Sequence, residues 1–359
     1  MSDPRPVLFV TNHAPPFRVG AFARLHERED VVFALVGGRV RHGGGAGGGE
    51  PLPFPVLAPA QRAIGRLAAS GRFRAVVAGL SGRVALPAAW AGARLGRVPF
   101  VLWATIWAHP RTPAHALSYL PLRHVYRDAD AIVTYGPHVS AYVRAKGAAG
   151  LVVEAPQSVD DAFWAAPATA RRLAPFQVLF AGRLSGEKGV EVLLRAWRTS
   201  GLSAPAAALV LVGGGPLRAR AAATGAVLPG AVPAVELRNF YAGSDVVVLP
   251  SLRTRDFREP WGLVVNEAFD QGAPVIASDA VGAAAGGLVR HEETGLVVPA
   301  GDAGALAAAL RRLHGDRALR SRLGAAARAA VRPYSHDAWA AGVARALACV
   351  GAGRSQEGC

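Results

Sequence analysis

Glu259-Pro260-Trp261-Gly262-Leu263-Val264-Val265-Asn266-Glu267 sets two carboxylates around a glycine-led turn, with seven residues between them. The stretch follows DVVVLPS (245–251), a continuous apolar run that reads as a buried strand, and an arginine-rich loop. It opens a helix expected from Leu263 to Gln271, which puts Glu267 inside the helix and Glu259 in the loop before it. Gly262, Leu263 and Val264 then occupy the first turn, where free backbone N–H groups and the helix dipole favour an anion such as a diphosphate. The two carboxylates can accept hydroxyl hydrogen bonds from opposite ends of one ligand. The same spacing also fits a helix-start carboxylate followed by a solvated helical glutamate.

Two further signals lie on the N-terminal side. In FAGRLSGEKGVEVLLRAW (180–197) a buried strand ends at Gly182 and a helix begins near Gly189, with Arg183 and Lys188 in the turn. Two cations beside a helix start suit a diphosphate whose leaving charge needs stabilising. Surface pairing of Lys188 with Glu187 or Glu191 is the alternative. In LVLVGGGPL (209–217) a strand runs into Gly213, Gly214 and Gly215 before a helix started by Pro216. Those glycines either admit a ligand to the backbone or simply form the turn.

Around these signals, strands and helices alternate along the whole chain. FQVLFAG, ALVLVGGG, DVVVLPS, APVIAS and GLVVP in the second half match PVLFV, VVFALV, AVVAG, PFVLW, AIVTY and LVVEA in the first. Continuous apolar runs of this kind are parallel strands buried on both faces. The first half has helix candidates at Gly20–Glu29, Gln61–Ser70 and Pro137–Lys146. The pattern lapses between Val159 and Ala174, the expected linker, and the region from Gly304 to Val350 is helical with a break at Pro333. The expected fold is therefore α/β, with two Rossmann-like doubly wound domains facing each other across a cleft and a helical C-terminal tail. The expected limits are 1–165 for an acceptor-binding domain, 166–333 for a donor-binding domain, and 334–359 for a helix returning to the first domain.

Composition excludes other classes. A chain of 359 residues exceeds what one core supports, and 51 % hydrophobic against 18 % charged residues describes a folded enzyme. Cys349 and Cys359 frame no zinc cluster and no disulfide core, which fits a reducing, cytoplasmic setting. The VLFVT run after Met1 is too short for a leader. Arg94, Arg97 and Pro99 interrupt the apolar stretch Val84–Ala108, which reads as a helix and then a strand rather than a membrane span. The glycine-rich segment His42–Pro51 lacks the Gly-Lys-Ser/Thr ending of a phosphate loop and reads as a surface loop. The net charge of +15 is spread over both halves without a basic tail, so no nucleic acid is expected. Weak contact of a basic N-terminal half with an anionic membrane surface is the better reading, placing the protein peripherally on the inner face of the cell membrane.

Taken in order, GRLSGEKGVEVLLRAW, LVLVGGGPL, FYAGSDVVVLPS, EPWGLVVNEAFDQGAPVIASDAVG and HEETGLVVPAGD resemble the nucleotide-sugar-binding domain of glycosyltransferase family 4, the retaining family with the GT-B fold. The resemblance runs from Phe176 to about Leu313. It implies that Arg183 and Lys188 hold a donor diphosphate, Glu259 the donor sugar's hydroxyls and Glu267 the ribose. It likewise places the backbone of Gly262, Leu263, Val264 and Val265, with Gly214 and Gly215, against the donor. The N-terminal half is less similar. PPFRVGAF has Gly20 alone as its donor-binding glycine, where many members carry paired glycines. QSVDDAFW puts Gln157 where an asparagine is commoner. His109, after the strand in LWATIWAHPRT, stands where members often carry a histidine near the reacting sugar, and Arg18 and Trp107 are acceptor-side candidates.

The implied activity is transfer of a hexose-type sugar from a UDP- or GDP-linked donor, in glycan biosynthesis. The acceptor is a glycan, a lipid-linked sugar or a small molecule, and neither cofactor nor metal is expected. Asp128-Ala129-Asp130 matches a manganese-binding Asp-x-Asp but precedes its strand instead of following one, so it reads as a turn. The rival functions are a nucleotide-sugar epimerase of similar architecture and a catalytically silent binding module.

Overall fold

The computed structural model describes residues 3–37, 51–80, 84–109 and 113–354. The expected loop at His42–Pro51 therefore lies, except for Pro51, outside the described residues, as does Cys359. The chain forms two compact units, one of residues 1–160 and 335–359, the other of residues 161–334. The first crossing falls after Asp160, at the start of the Val159–Ala174 stretch and five residues before the expected limit, because Asp161 already starts a short helix of the second unit.

In the first unit the elements are β1 (Val7–Thr11), α1 (Pro16–Glu29), β2 (Val31–Leu35), β3 (Val56–Leu57), α2 (Ile64–Ala68), β4 (Ala75–Gly79) and α3 (Ala85–Leu95). They continue as β5 (Phe100–Ala104), α4 (Pro113–Asp128), β6 (Ala131–Thr134), α5 (Pro137–Ala145) and β7 (Leu151–Glu154). All strands pair in parallel, in the order β3-β2-β1-β4-β5-β6-β7. β1, β4 and β5 are buried along their full length, as their unbroken apolar runs require.

The second unit contains α6 (Asp161–Trp164), β8 (Phe176–Ala181), α7 (Val190–Ser200), β9 (Ala207–Val212), α8 (Arg218–Ala222), β10 (Val227–Gly230) and α9 (Ala234–Ala242). β11 (Val246–Leu249), α10 (Val264–Asp270), β12 (Val275–Ser278), α11 (Gly282–Ala285), β13 (Gly295–Val298), α12 (Ala303–Gly315) and α13 (Arg317–Val331) complete it. Its parallel sheet runs β10-β9-β8-β11-β12-β13. Asp302 and Asp316 cap α12 and α13 by accepting the Ala305 and Leu319 N–H groups.

The last helix, α14 (His336–Cys349), belongs to the first unit and lies against α1, β6 and β7. Beyond it the chain is held by a buried ion pair. Arg74 meets Glu29 at 2.8 Å and donates to the Ala352 carbonyl at 2.7 Å, while the Arg354 N–H donates to Glu29 at 2.9 Å. Among the described residues no helix is long and apolar enough to cross a membrane.

Candidate functional site

The strand order of the second sheet reverses at β8, which has β9 on one side and β11 on the other. Ligands of doubly wound sheets bind at the carboxyl ends of the strands beside such a reversal. Both charged sequence signals emerge there, since β8 leads into Gly182–Lys188 and β11 into Pro250–Glu259.

The two loops touch. Gly189 has φ +71°, and a Cβ on it would sit 1.9 Å from the Pro250 carbonyl oxygen, so only glycine allows this approach. The Leu252 N–H donates to the Glu187 carbonyl at 2.9 Å across the same junction. Lys188 is thereby delivered to Glu259, with Nζ 2.5 Å from Oε2. Ser251 Oγ donates to that same oxygen at 3.0 Å, and the Lys188 ammonium lies 5.5 Å from the Phe257 ring centroid. Glu259 is buried, and its backbone is fixed by the Gly282 N–H at 3.1 Å. The surface pairs that Lys188 was able to form are taken by others: Glu187 meets Arg183 at 2.8 Å and Glu191 meets Arg220. Arg183 itself is exposed, and its ion pair is a solvated one.

Helix α10 begins at Val264, with Leu263 in the capping position and no side-chain cap. Gly262 turns the chain at φ +95°. Val265 is fully buried and its N–H donates to the Gly262 carbonyl at 2.9 Å, so that group is already engaged. Trp261, also buried, donates from Nε1 to Asn266 at 2.7 Å and locks the turn onto its own helix. In the glycine triplet, a Cβ on Gly215 would meet the Leu184 carbonyl oxygen at 2.5 Å, whereas one on Gly214 would meet nothing within 4 Å. Packing explains Gly215 and leaves Gly214 facing open space.

Glu267 accepts a hydrogen bond from the Tyr241 hydroxyl at 2.6 Å. Burial pushes its carboxyl up to about 7, against the lowering effect of that bond. One turn on, buried Asp270 is also pushed up to about 7, by burial first and then by Asp161, with Arg328 opposing. Its Oδ2 has no partner among the described residues. Tyr241 and Asp270 carry no motif of their own. A tyrosine near the end of one helix and an aspartate three residues past a glutamate become visible only when α9 and α10 pack together.

The N-terminal candidates belong to the first unit. Gly20 lies in the second turn of α1, because that helix starts at Pro16 rather than at Gly20. A Cβ on Gly20 would come within 2.6 Å of the His336 ring, so packing against α14 is a sufficient reason for this glycine. The His109 ring meets Tyr119 edge-on at 5.2 Å, and Trp107 meets His138 at 5.3 Å. Arg18 is buried, its Nη2 donating to the Tyr135 hydroxyl at 2.9 Å. Asp128 and Asp130 are both held by Arg94, at 2.8 and 2.7 Å. Trp90 also donates to Asp128 and the Phe100 N–H to Asp130, each at 2.7 Å. Among the described residues no three His, Cys, Asp or Glu side chains gather as a metal site.

Residues 166–330 match the family model "Glycosyl transferases group 1". A GDP-mannose-dependent alpha-(1-6)-phosphatidylinositol monomannoside mannosyltransferase of Mycobacterium tuberculosis is 34 % identical over 239 residues, 59 % of this chain and 60 % of that protein. Glycogen synthase of the same organism is 28 % identical over 212 residues, 56 % and 50 % of the two chains. The chain thus spans half to three fifths of the length of these curated relatives, and only 31 % of an uncharacterized glycosyltransferase of Methanocaldococcus jannaschii that it also matches. Among solved structures, Anabaena HepE in complex with UDP superposes with a TM-score of 0.74 at 18 % identity, covering 95 % of this chain and 99 % of that one. Sucrose-phosphate synthase of Thermosynechococcus elongatus gives 0.68 at 20 % identity, covering 94 % and 96 %. The fold is GT-B.

Proposed function

We propose that the protein, whose residues 166–330 match the model of group 1 glycosyl transferases, transfers a hexose-type sugar from a UDP- or GDP-linked donor to an acceptor hydroxyl, with retention of configuration and without a metal ion, as a member of family 4. The observation that carries this reading is the Lys188–Glu259 contact at the β8/β11 reversal, where a cation and a carboxylate from two loops meet at 2.5 Å. Cleaving the donor leaves negative charge on the diphosphate. Lys188, Arg183 and the Gly262–Val264 turn are the groups assigned to it, acting as preorganised charges and dipoles. Glu259, already oriented by Lys188 and Ser251, takes the sugar's hydroxyls. Glu267 takes the ribose, and His109 is assigned near the reacting sugar. Retention is assigned to same-face attack, the leaving phosphate assisting deprotonation of the acceptor. UDP in the HepE complex and GDP-mannose in the mannosyltransferase's name support a nucleotide-linked donor. The commitment of Asp128 and Asp130 to Arg94 supports catalysis without manganese. The donor is a substrate, and no resident cofactor is required.

Product analysis in excess EDTA tests the proposal. Glycoside formation from a nucleotide-sugar should persist under chelation. Loss of transfer with EDTA and its return with manganese would overturn the metal-free part.

A further inference from the structure

Among the described residues, three buried nitrogen donors without an acceptor belong to one cluster of the first unit. Arg18 is 2 % exposed, and its Nη1 has no hydrogen-bond partner among the described residues. Trp103 and Trp339, 6 % and 0 % exposed, likewise have Nε1 groups with no partner there. The Arg18 guanidinium carbon lies 5.4 Å from the Trp103 ring centroid, 5.5 Å from that of Trp339 and 5.3 Å from that of Tyr135. The two indole rings are 5.7 Å apart. The arginine forms no ion pair among the described residues, and its Nη2 bond goes to a neutral phenol. Aromatic faces compensate only part of the cost of burying a cation, and each orphaned donor adds to it.

Position agrees with chemistry. Trp103 is near the carboxyl end of β5, Tyr135 directly follows β6, and Arg18 is in the first turn of the helix after β1. These are the strand ends at which a doubly wound sheet receives ligands. The ring of Phe17, a residue 44 % exposed, has its centroid 5.7 Å from the guanidinium carbon.

We propose that Arg18, Trp103 and Trp339 form a binding site for an oxyanion, a phosphate or carboxylate borne by the acceptor. An oxyanion offers what this cluster lacks: negative charge together with several acceptor lone pairs for a forked guanidinium and two indole N–H groups. Tyr135, bonded to Nη2, keeps its own hydroxyl proton to donate. Only the identity of the molecule that carries the oxyanion rests on the transferase reading.

The test is titration of the full chain with inorganic phosphate against chloride at constant ionic strength, followed by calorimetry and thermal midpoint. Phosphate should bind and raise the midpoint of the wild type. Arg18→Met should abolish that response yet melt no lower than the wild type, since it removes a buried charge without a counter-ion. Trp103→Phe keeps an aromatic ring, loses the donor and should weaken phosphate by about tenfold; it decides the matter if Arg18→Met does not fold. A wild type indifferent to phosphate, or an Arg18→Met or Trp103→Phe variant that binds it unchanged, overturns the site and leaves the cluster as core packing. Repeating the titration with saturating UDP separates the sources. An unchanged phosphate response assigns the oxyanion to the acceptor, and its disappearance assigns it to the donor diphosphate and overturns the acceptor assignment. Binding of UDP in the first place reports on the transferase reading independently.

Discussion

Lys188 Nζ stands 2.5 Å from Glu259 Oε2, bridging two loops that leave neighbouring parallel strands. The pair gives each residue a separable role. Lys188→Ala should depress kcat by about a hundredfold, because the charge it faces grows as the sugar departs. Glu259→Ala should also cut turnover while leaving free nucleotide binding intact or tighter, since the ammonium is then released towards the diphosphate. Donor-saturation kinetics on both variants measure the split.

Glu267 and Asp270 predict a pH dependence. Their carboxyls sit at about 7 in the folded protein against ordinary values of 4.5 and 3.8. The folded state therefore holds more protons than the unfolded chain between about pH 4 and 7, and stability falls as pH rises through that window. Glu267→Gln should flatten much of this slope, worth roughly 3 kcal/mol for a shift of this size. In the same window UDP binding should release protons, because ribose hydroxyls donate best to an ionised carboxylate. Calorimetry in buffers of different ionisation enthalpy reads that release, which should vanish in Glu267→Gln.

Two glycines should respond oppositely to alanine. Gly20→Ala drives a methyl into the His336 ring and should cost about 1–3 kcal/mol of stability. Gly214→Ala meets open space, so it should leave the thermal midpoint in place and raise the donor KM. Thermal unfolding beside donor kinetics separates the two effects.

On α4, Leu117 is 84 % and Leu120 71 % exposed, and Arg123 and Arg127 stand on the Leu120 side of the helix. Apolar and basic side chains presented together suit an anionic bilayer surface. Vesicles rich in anionic lipid should retain the protein at low ionic strength and release it in salt, and a Leu117→Glu, Leu120→Glu double variant should not bind. Equal binding to neutral vesicles contradicts the electrostatic attachment.

The strands were legible because parallel strands buried on both faces leave unbroken apolar runs, as in VLFVT and VVVL. β10 was not, because Val227-Leu228-Pro229-Gly230 contains a proline, which a short edge strand tolerates. Arg183, Lys188, Glu259 and Glu267 stand out as candidates by spacing and turn chemistry, and the resemblance alone supplies their roles. Their partners did not. Lys188 finds Glu259 rather than its sequence neighbours, and Tyr241 finds Glu267 from another helix. Gly20 reads in sequence as a ligand-approach glycine, whereas the ring it accommodates lies in the last helix of the chain. Arg18 stands out in sequence as an acceptor-side candidate, but its grouping with Trp103 and Trp339 does not, since an unpaired buried donor exists only once tertiary packing has removed water.

The most direct test of the account is calorimetric titration of UDP and GDP into wild type, Glu259→Ala and Glu267→Ala, each verified as folded. The account predicts that one of the two nucleotides binds wild type and Glu259→Ala at a single site, and that Glu267→Ala binds it at least tenfold more weakly. If neither nucleotide binds the wild type, or if Glu259→Ala loses the nucleotide while Glu267→Ala keeps it, the proposed donor site is contradicted.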